Sequence, residues 1–161
     1  MIKQEEKDKI FLRQAIALAI ENVELGKGGP FGAVIVKNNE IVATGSNVVT
    51  LTHDPSAHAE ISAIRNACKK LNTFHLEDCV MYSSCQPCPM CLGAIYWAHL
   101  DRLVFAADKK QAEAAGFDDD FIYKEMELPY NKRKLVTIQT LQVEGDTPFN
   151  AWIKSENKII Y

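Results

Sequence analysis

The sequence predicts an α/β fold, three-layered α/β/α around a central mixed sheet of five strands. Three observations carry this reading. Apolar residues recur at helical spacing in some stretches and as short β-branched runs in others. The two kinds of stretch alternate along the chain, which places helices on both faces of a sheet. The 161 residues, 47% of them hydrophobic, suit one compact core, so a single domain over residues 1–161 is expected, with no repeat or low-complexity linker inside it.

Between residues 8 and 25, Ile10, Phe11, Ala15, Leu18, Ala19 and Leu25 fall near the helical period, and Gly26-Lys27-Gly28-Gly29-Pro30 ends the pattern. This is a first helix with one buried face. Residues 31–37 and 40–46 are joined by Asn38-Asn39, whose side chains tolerate left-handed backbone, so they read as a hairpin. Asn47 follows the second strand. A loop over 47–55 leads into a helix that begins near Ser56 or Ala57 and runs to about Lys70, with Ala59, Ala63, Ile64, Ala67 and Leu71 facing the core. After a turn over 72–78, residues 79–84 read as a buried strand closed off by Pro87, and a helix over 89–98 follows. Residues 102–107 form another strand, 111–115 have helical propensity, and 116–121 form an acidic loop or short helix. Residues 136–143 are the last expected strand, and 149–158 a final helix before Ile159-Ile160-Tyr161.

A net charge of −3 and a pI near 5.8 lack the basic surplus that holding a phosphate backbone demands, which tilts the reading away from nucleic acid. The amino terminus is charged throughout and the apolar run after it is broken by Arg13 and Gln14, so neither a signal peptide nor a membrane span is expected. Five cysteines, three of them packed into residues 85–91, fit metal binding in a reducing compartment better than a disulfide framework. A cytoplasmic location follows.

Two short stretches carry the chemistry, Ser56-Ala57-His58-Ala59-Glu60 and Gln86-Pro87-Cys88-Pro89-Met90-Cys91. One imidazole and two thiols suit a tetrahedral zinc ion whose fourth position stays open, whereas structural zinc sites usually fill all four. His58, Cys88 and Cys91 are the expected ligands of one zinc per chain. Glu60, two residues past the histidine, can reach the metal's water without joining the ligands, and so can shuttle its protons as base and then acid. Cys88 and Cys91 at a helix start are favoured as thiolates, the form a metal binds. A site using Cys85 remains an alternative. Cys68 and Cys79 read as buried and inert, and His53, His75 and His99 as structural or surface residues. Trp97 and Trp152 read as packing or interface residues rather than platforms for a base.

The pattern H-x-E…P-C-x-x-C is the signature of zinc-dependent nucleobase deaminases. At these residues the sequence resembles the cytidine and deoxycytidylate deaminase superfamily. The likeness extends to Gly28-Gly29-Pro30-Phe31-Gly32-Ala33-Val34, Asn47, Leu92-Gly93-Ala94-Ile95-Tyr96-Trp97-Ala98, Ala114-Ala115-Gly116-Phe117-Asp118-Asp119 and the chain end with Pro148-Phe149, Ala151-Trp152 and Tyr161. These stretches are similar to the branch of the superfamily that deaminates guanine in bacteria. The resemblance implies a cytidine deaminase-like fold, free guanine as substrate, and xanthine and ammonia as products. It also implies that Asn47 hydrogen-bonds the purine, that Phe31 packs against its ring, and that Asp119 and Tyr161 help recognise guanine or its leaving amino group. Gln86 departs from the pattern, since many relatives have Glu at that position.

Rival readings differ in what they demand. A transfer-RNA adenosine deaminase shares the motif but should cluster Lys and Arg beside the pocket, and Lys132-Arg133-Lys134 and Lys109-Lys110 are short and offset by acids. A cytosine deaminase is disfavoured by the long carboxyl-terminal segment. A zinc-stabilised binding module without turnover would have no use for Glu60. The resemblance and the apolar 92–97 helix suggest a homodimer, with residues 148–161 covering an active site, its own or its partner's.

Overall fold

The expected hairpin forms. β1 (Gly32–Lys37) and β2 (Glu40–Ser46) pair antiparallel, with Lys37 opposite Glu40. Asn38 and Asn39 turn the chain at φ of 53° and 63°, the left-handed pair that a two-residue hairpin needs. β3 (Cys79–Cys85) joins the other edge of β1 antiparallel, and β4 (Arg102–Ala107) lies parallel to β3. The sheet is therefore mixed, in the order β2-β1-β3-β4.

This computed structural model describes residues 3–161. The chain falls into two compact units that meet in sequence between Asp119 and Asp120. In the first, α1 (Gln4–Glu24) covers one sheet face: Ala15, Phe11, Leu12 and Leu18 pack on Val34, Val36 and Tyr82. On the other face, Ala59, Ala63 and Ala67 of α3 (Ala59–Leu71) and Ile95 of α4 (Pro89–Trp97) pack on Ala33, Ile35 and Met81. Alanines let α3 sit low on the sheet. A Cβ at Gly45 would come within 2.2 Å of the Ala59 carbonyl, so only glycine permits this approach of β2 to the start of α3. The short helices α2 (Val49–Thr52) and α5 (Lys109–Ala114) complete the unit. Asp108 and Gln111 close a reciprocal capping box at the start of α5.

The second unit holds α6 (Asp120–Glu127), two single 3-10 turns and α7 (Thr147–Lys154). Arg133 organises its middle by donating to the carbonyls of Leu128 and Met126 and lying over the Tyr130 ring. The fifth expected strand is corrected here: residues 136–143 form no strand, and the sheet has four. A strand takes its hydrogen bonds from a neighbour, and among the described residues this segment has none. Helix boundaries also move, and the helix expected from Ser56 or Ala57 begins at Ala59. The first helix begins at Gln4, and the last runs over Thr147–Lys154.

Candidate active site

Two helices begin side by side, and each presents its N-cap residue to the same point. His58 caps α3 and Cys88 caps α4, both in extended backbone, and neither spends its side chain on its own helix. The imidazole and the thiol are left to face each other. His58 Nδ1 lies 3.5 Å from Cys88 Sγ and 3.5 Å from Cys91 Sγ, and the three candidate ligand atoms all fall within 4.8 Å of one another. Cys91 reaches the cluster from the first turn of α4, because Cys-x-x-Cys spans one helical turn.

The three groups share protons through hydrogen bonds. A hydrogen bond from the Cys91 thiol, working against burial and aided by His58, lowers the Cys88 thiol to about 4. Cys91 is pushed far up because it donates to the Cys88 thiolate. The same thiolate, through its hydrogen bond, raises the His58 pKa. Two sulfurs and an imidazole whose ligand atoms lie within 4.8 Å of one another suit one divalent ion of borderline softness, and zinc fits this donor set. Among the described residues, no other group of three His, Cys or acidic side chains is arranged to share an ion.

Glu60 enters from the first turn of α3 and is buried. Ser83 Oγ donates to its Oε1 at 3.1 Å, and Cys91 Sγ approaches its Oε2 at 3.4 Å. Burial raises the Glu60 pKa, so the carboxyl holds a proton more firmly than an exposed one. Ser83 escaped the sequence reading. The alternation of β3 aims it at the α3 face, but a serine in an apolar run names no partner by itself.

Asn47 ends β2 and is buried, its Oδ1 accepting from the backbone N–H of Gly29 at 3.4 Å and of Val49 at 3.3 Å. The next residue, Val48, donates to the Ala57 carbonyl, which sets Asn47 beside the His58 turn. Phe31 meets Phe117 edge to face at 4.9 Å and packs against the core cluster that contains Ala59. Asp119 has Oδ1 buried with no hydrogen-bond partner among the described residues. Burial raises its pKa, with the Cys88 thiolate adding to the effect, so this carboxyl is within electrostatic reach of the ligands. Tyr161 belongs to the second unit and is exposed there. Cys85 stands outside the ligand cluster: its Sγ faces the Asp108 carbonyl at 3.7 Å, and burial pushes its thiol up to about 11. Gln86 has a local task, accepting the Lys109 N–H at the start of α5. A hollow of about 650 Å³ in the first unit lies against α1 beside Ile16, Ile20 and Val23, and none of the ligands lines it.

A family model described as the cytidine and deoxycytidylate deaminase zinc-binding region matches residues 5–107, the stretch that contains His58, Glu60, Cys88 and Cys91. This chain belongs to that deaminase family. Within it, the chain is 52% identical to guanine deaminase of Bacillus subtilis over 151 residues, covering 94% of this chain and 97% of the relative. The X-ray structure of guanine deaminase from that organism superposes at a TM-score of 0.93, with 50% identity over 99% of both chains. A tRNA-specific adenosine deaminase of Buchnera aphidicola is 38% identical over 96% of this chain and 93% of its own length. As a deaminase of this family the chain takes zinc as its cofactor, and His58, Cys88 and Cys91 are a group arranged so that it could hold the ion.

Proposed function

We propose that this deaminase hydrolyses free guanine to xanthine and ammonia. The observation that carries the reading is its 52% identity, over nearly the full length of both chains, to a guanine deaminase. Identity to a tRNA-specific adenosine deaminase over a comparable length is 38%. The charge of −3 supports a small neutral substrate over a polyanion.

His58, Cys88 and Cys91 would hold zinc, which when bound supplies a polarised water as nucleophile. Every proton then passes through the chain's own carboxyl. Ser83 fixes Oε1 of Glu60, so Oε2, on the ligand side, is the oxygen that takes the proton of the attacking water. Glu60 passes that proton to a ring nitrogen of guanine, then takes the second proton of the added water from the new hydroxyl group and gives it to the amino group, which leaves as ammonia while the hydroxyl becomes the carbonyl of xanthine. Its raised pKa makes it a stronger base than an exposed carboxylate, which suits the first of these transfers.

Asn47 has both lone pairs of Oδ1 occupied by backbone donors, so its NH2 group is the end that hydrogen-bonds the purine. Phe31 packs against the ring, and Asp119 accepts from guanine or its leaving amino group. Tyr161, at the end of the 148–161 segment, completes recognition as that segment covers an active site, its own or a partner's. The exposed Tyr96 and Trp97 on α4 support a homodimer. Five free cysteines support a cytoplasmic location for a single deaminase domain.

The test is ammonia release from guanine, adenine, cytosine and a transfer-RNA anticodon hairpin, with the mass of the same sample taken by light scattering. Release from guanine by a dimer is expected. Release from the hairpin with none from guanine would transfer the assignment to the tRNA enzyme.

A further inference from the structure

The buried face of α1 runs Ala15, Ala19, Asn22. The first two are the small apolar residues that a helix lying close on a sheet requires, and the third breaks the rule. Asn22 is a carboxamide only 2% exposed, and burying an amide is unfavourable unless its polar atoms find partners. Its NH2 group has two. Nδ2 donates to the Gly29 carbonyl at 2.9 Å and to the Asn47 carbonyl at 2.8 Å.

Those two carbonyls belong to the segments that carry the base contacts. Gly29 precedes Pro30 and Phe31, and Asn47 follows β2. The segments also bond to each other: Asn47 N–H donates to the Phe31 carbonyl at 3.1 Å, and Gly29 N–H donates to Asn47 Oδ1. They touch so closely that a Cβ at Gly28 would sit 2.1 Å from the Asn47 carbonyl oxygen. The Asn22 backbone carbonyl accepts from Lys27 N–H at 3.0 Å, which fixes where the loop leaves the helix. One residue of α1 therefore grips this junction from behind.

We propose that Asn22 is a positioning residue for base recognition: by holding the carbonyls of Gly29 and Asn47 it sets the rotation of the Asn47 amide and the seat of the Phe31 ring. Outside α1 its hydrogen bonds go to Gly29, Asn47 and Lys27, and none goes to Glu60, His58, Cys88 or Cys91. The inference rests on the reading that Asn47 and Phe31 contact the base. Its effect falls on binding and spares the proton transfers.

The experiment uses the full-length zinc-loaded enzyme. Asn22→Ala removes the amide, and Asn22→Asp keeps its shape while removing the NH2 donor. Tyr82→Phe serves as control, because it deletes another, part-buried hydrogen bond to α1, that of Tyr82 Oη to Asp8, far along the helix from the loop. Both Asn22 variants are expected to raise KM for guanine about tenfold, the loss of roughly one hydrogen bond's worth of orientation, with kcat within about twofold and zinc content unchanged. Tyr82→Phe should lower the melting temperature and leave KM alone. A KM equal to that of the control in either Asn22 variant that folds, or a fall in kcat at constant KM, would overturn the proposal. Amide hydrogen exchange supplies a readout without substrate: the Gly29 and Val49 amides should exchange at least about tenfold faster in Asn22→Ala, with β3 unaffected. Unchanged exchange there defeats the positioning role by itself, whereas a wild-type enzyme inert toward guanine defeats only the functional reading.

Discussion

Val34, Ile35, Met81 and Tyr82 of the first unit are at most 1% exposed, whereas Val136, Ile138 and Val143 of the second stand 80%, 78% and 85% exposed. The two stretches look alike on paper, Ala33-Val34-Ile35-Val36 against Val136-Thr137-Ile138-Gln139. They differ in what lies beside them. β1 has β2 on one edge and β3 on the other, with α1 above and α3 below. Among the described residues, 136–143 has no strand on either side, and none of residues 120–161 is buried. β-propensity is a preference for a pleated, half-covered surface, and without a neighbour it decides little. The first unit therefore owns the core that positions His58, Cys88 and Cys91, and the second has no buried core of its own.

That contrast can be broken or sharpened, and the largest effect is expected where the core grips the chemistry hardest. Glu60→Gln keeps the size and burial of the side chain and removes its proton traffic, so guanine turnover should fall on the order of 10³-fold with zinc retained. Zinc assay beside ammonia release separates this from loss of the metal, and unaltered turnover would remove Glu60 from the mechanism. Next comes truncation before Phe149. If the division of labour holds, zinc content and the melting of the sheet stay as they are, while kcat/KM for guanine drops at least about tenfold because the site is left open to water. Undiminished turnover would show that 148–161 covers nothing that matters, and loss of zinc would show that the first unit does not hold its site alone.

The smallest effect lies at the foot of α1. Burial works to raise the Asp8 pKa, but hydrogen bonds from Arg102 at 2.8 Å, Gln4 and Tyr82 outweigh it and hold the carboxyl below its free value of 3.8. The ionised form thus stabilises the fold at every pH above that value, and the contribution is lost as pH falls through the folded pKa. In Asp8→Asn, melting temperature should decline less steeply below about pH 4 than in the parent, a difference read by thermal scans across the acid range. Parallel acid limbs would mean that the Arg102 pair carries no net stability, as surface pairs often do not.

Much of the site was legible because its residues are local. His58 and Glu60 share one turn, Cys88 and Cys91 another, and a spacing of two or three along a helix start is already a spatial statement. Asn47 and Phe31 could be singled out by resemblance, without any hint of how they are held. Asn22, Ser83 and the buried Oδ1 of Asp119 were not legible, since each draws its meaning from a partner, or the want of one, across the fold. Ser83 lies 23 positions from Glu60, and Asn22 lies 25 from Asn47.

By itself the sequence determined which side chains can bind an ion, that the hairpin turns at Asn38-Asn39, roughly where the main helices lie, and that a sheet lies at the centre, because those depend on neighbours within a few residues. Only the tertiary structure decided that the sheet stops at four strands, that two helix starts converge within ligand distance, and that a helix amide on the far side holds the carbonyls of Gly29 and Asn47. The reason is physical: strand pairing, burial and hydrogen-bond satisfaction belong to pairs of segments distant along the chain, and a segment read alone does not carry the identity of its partner.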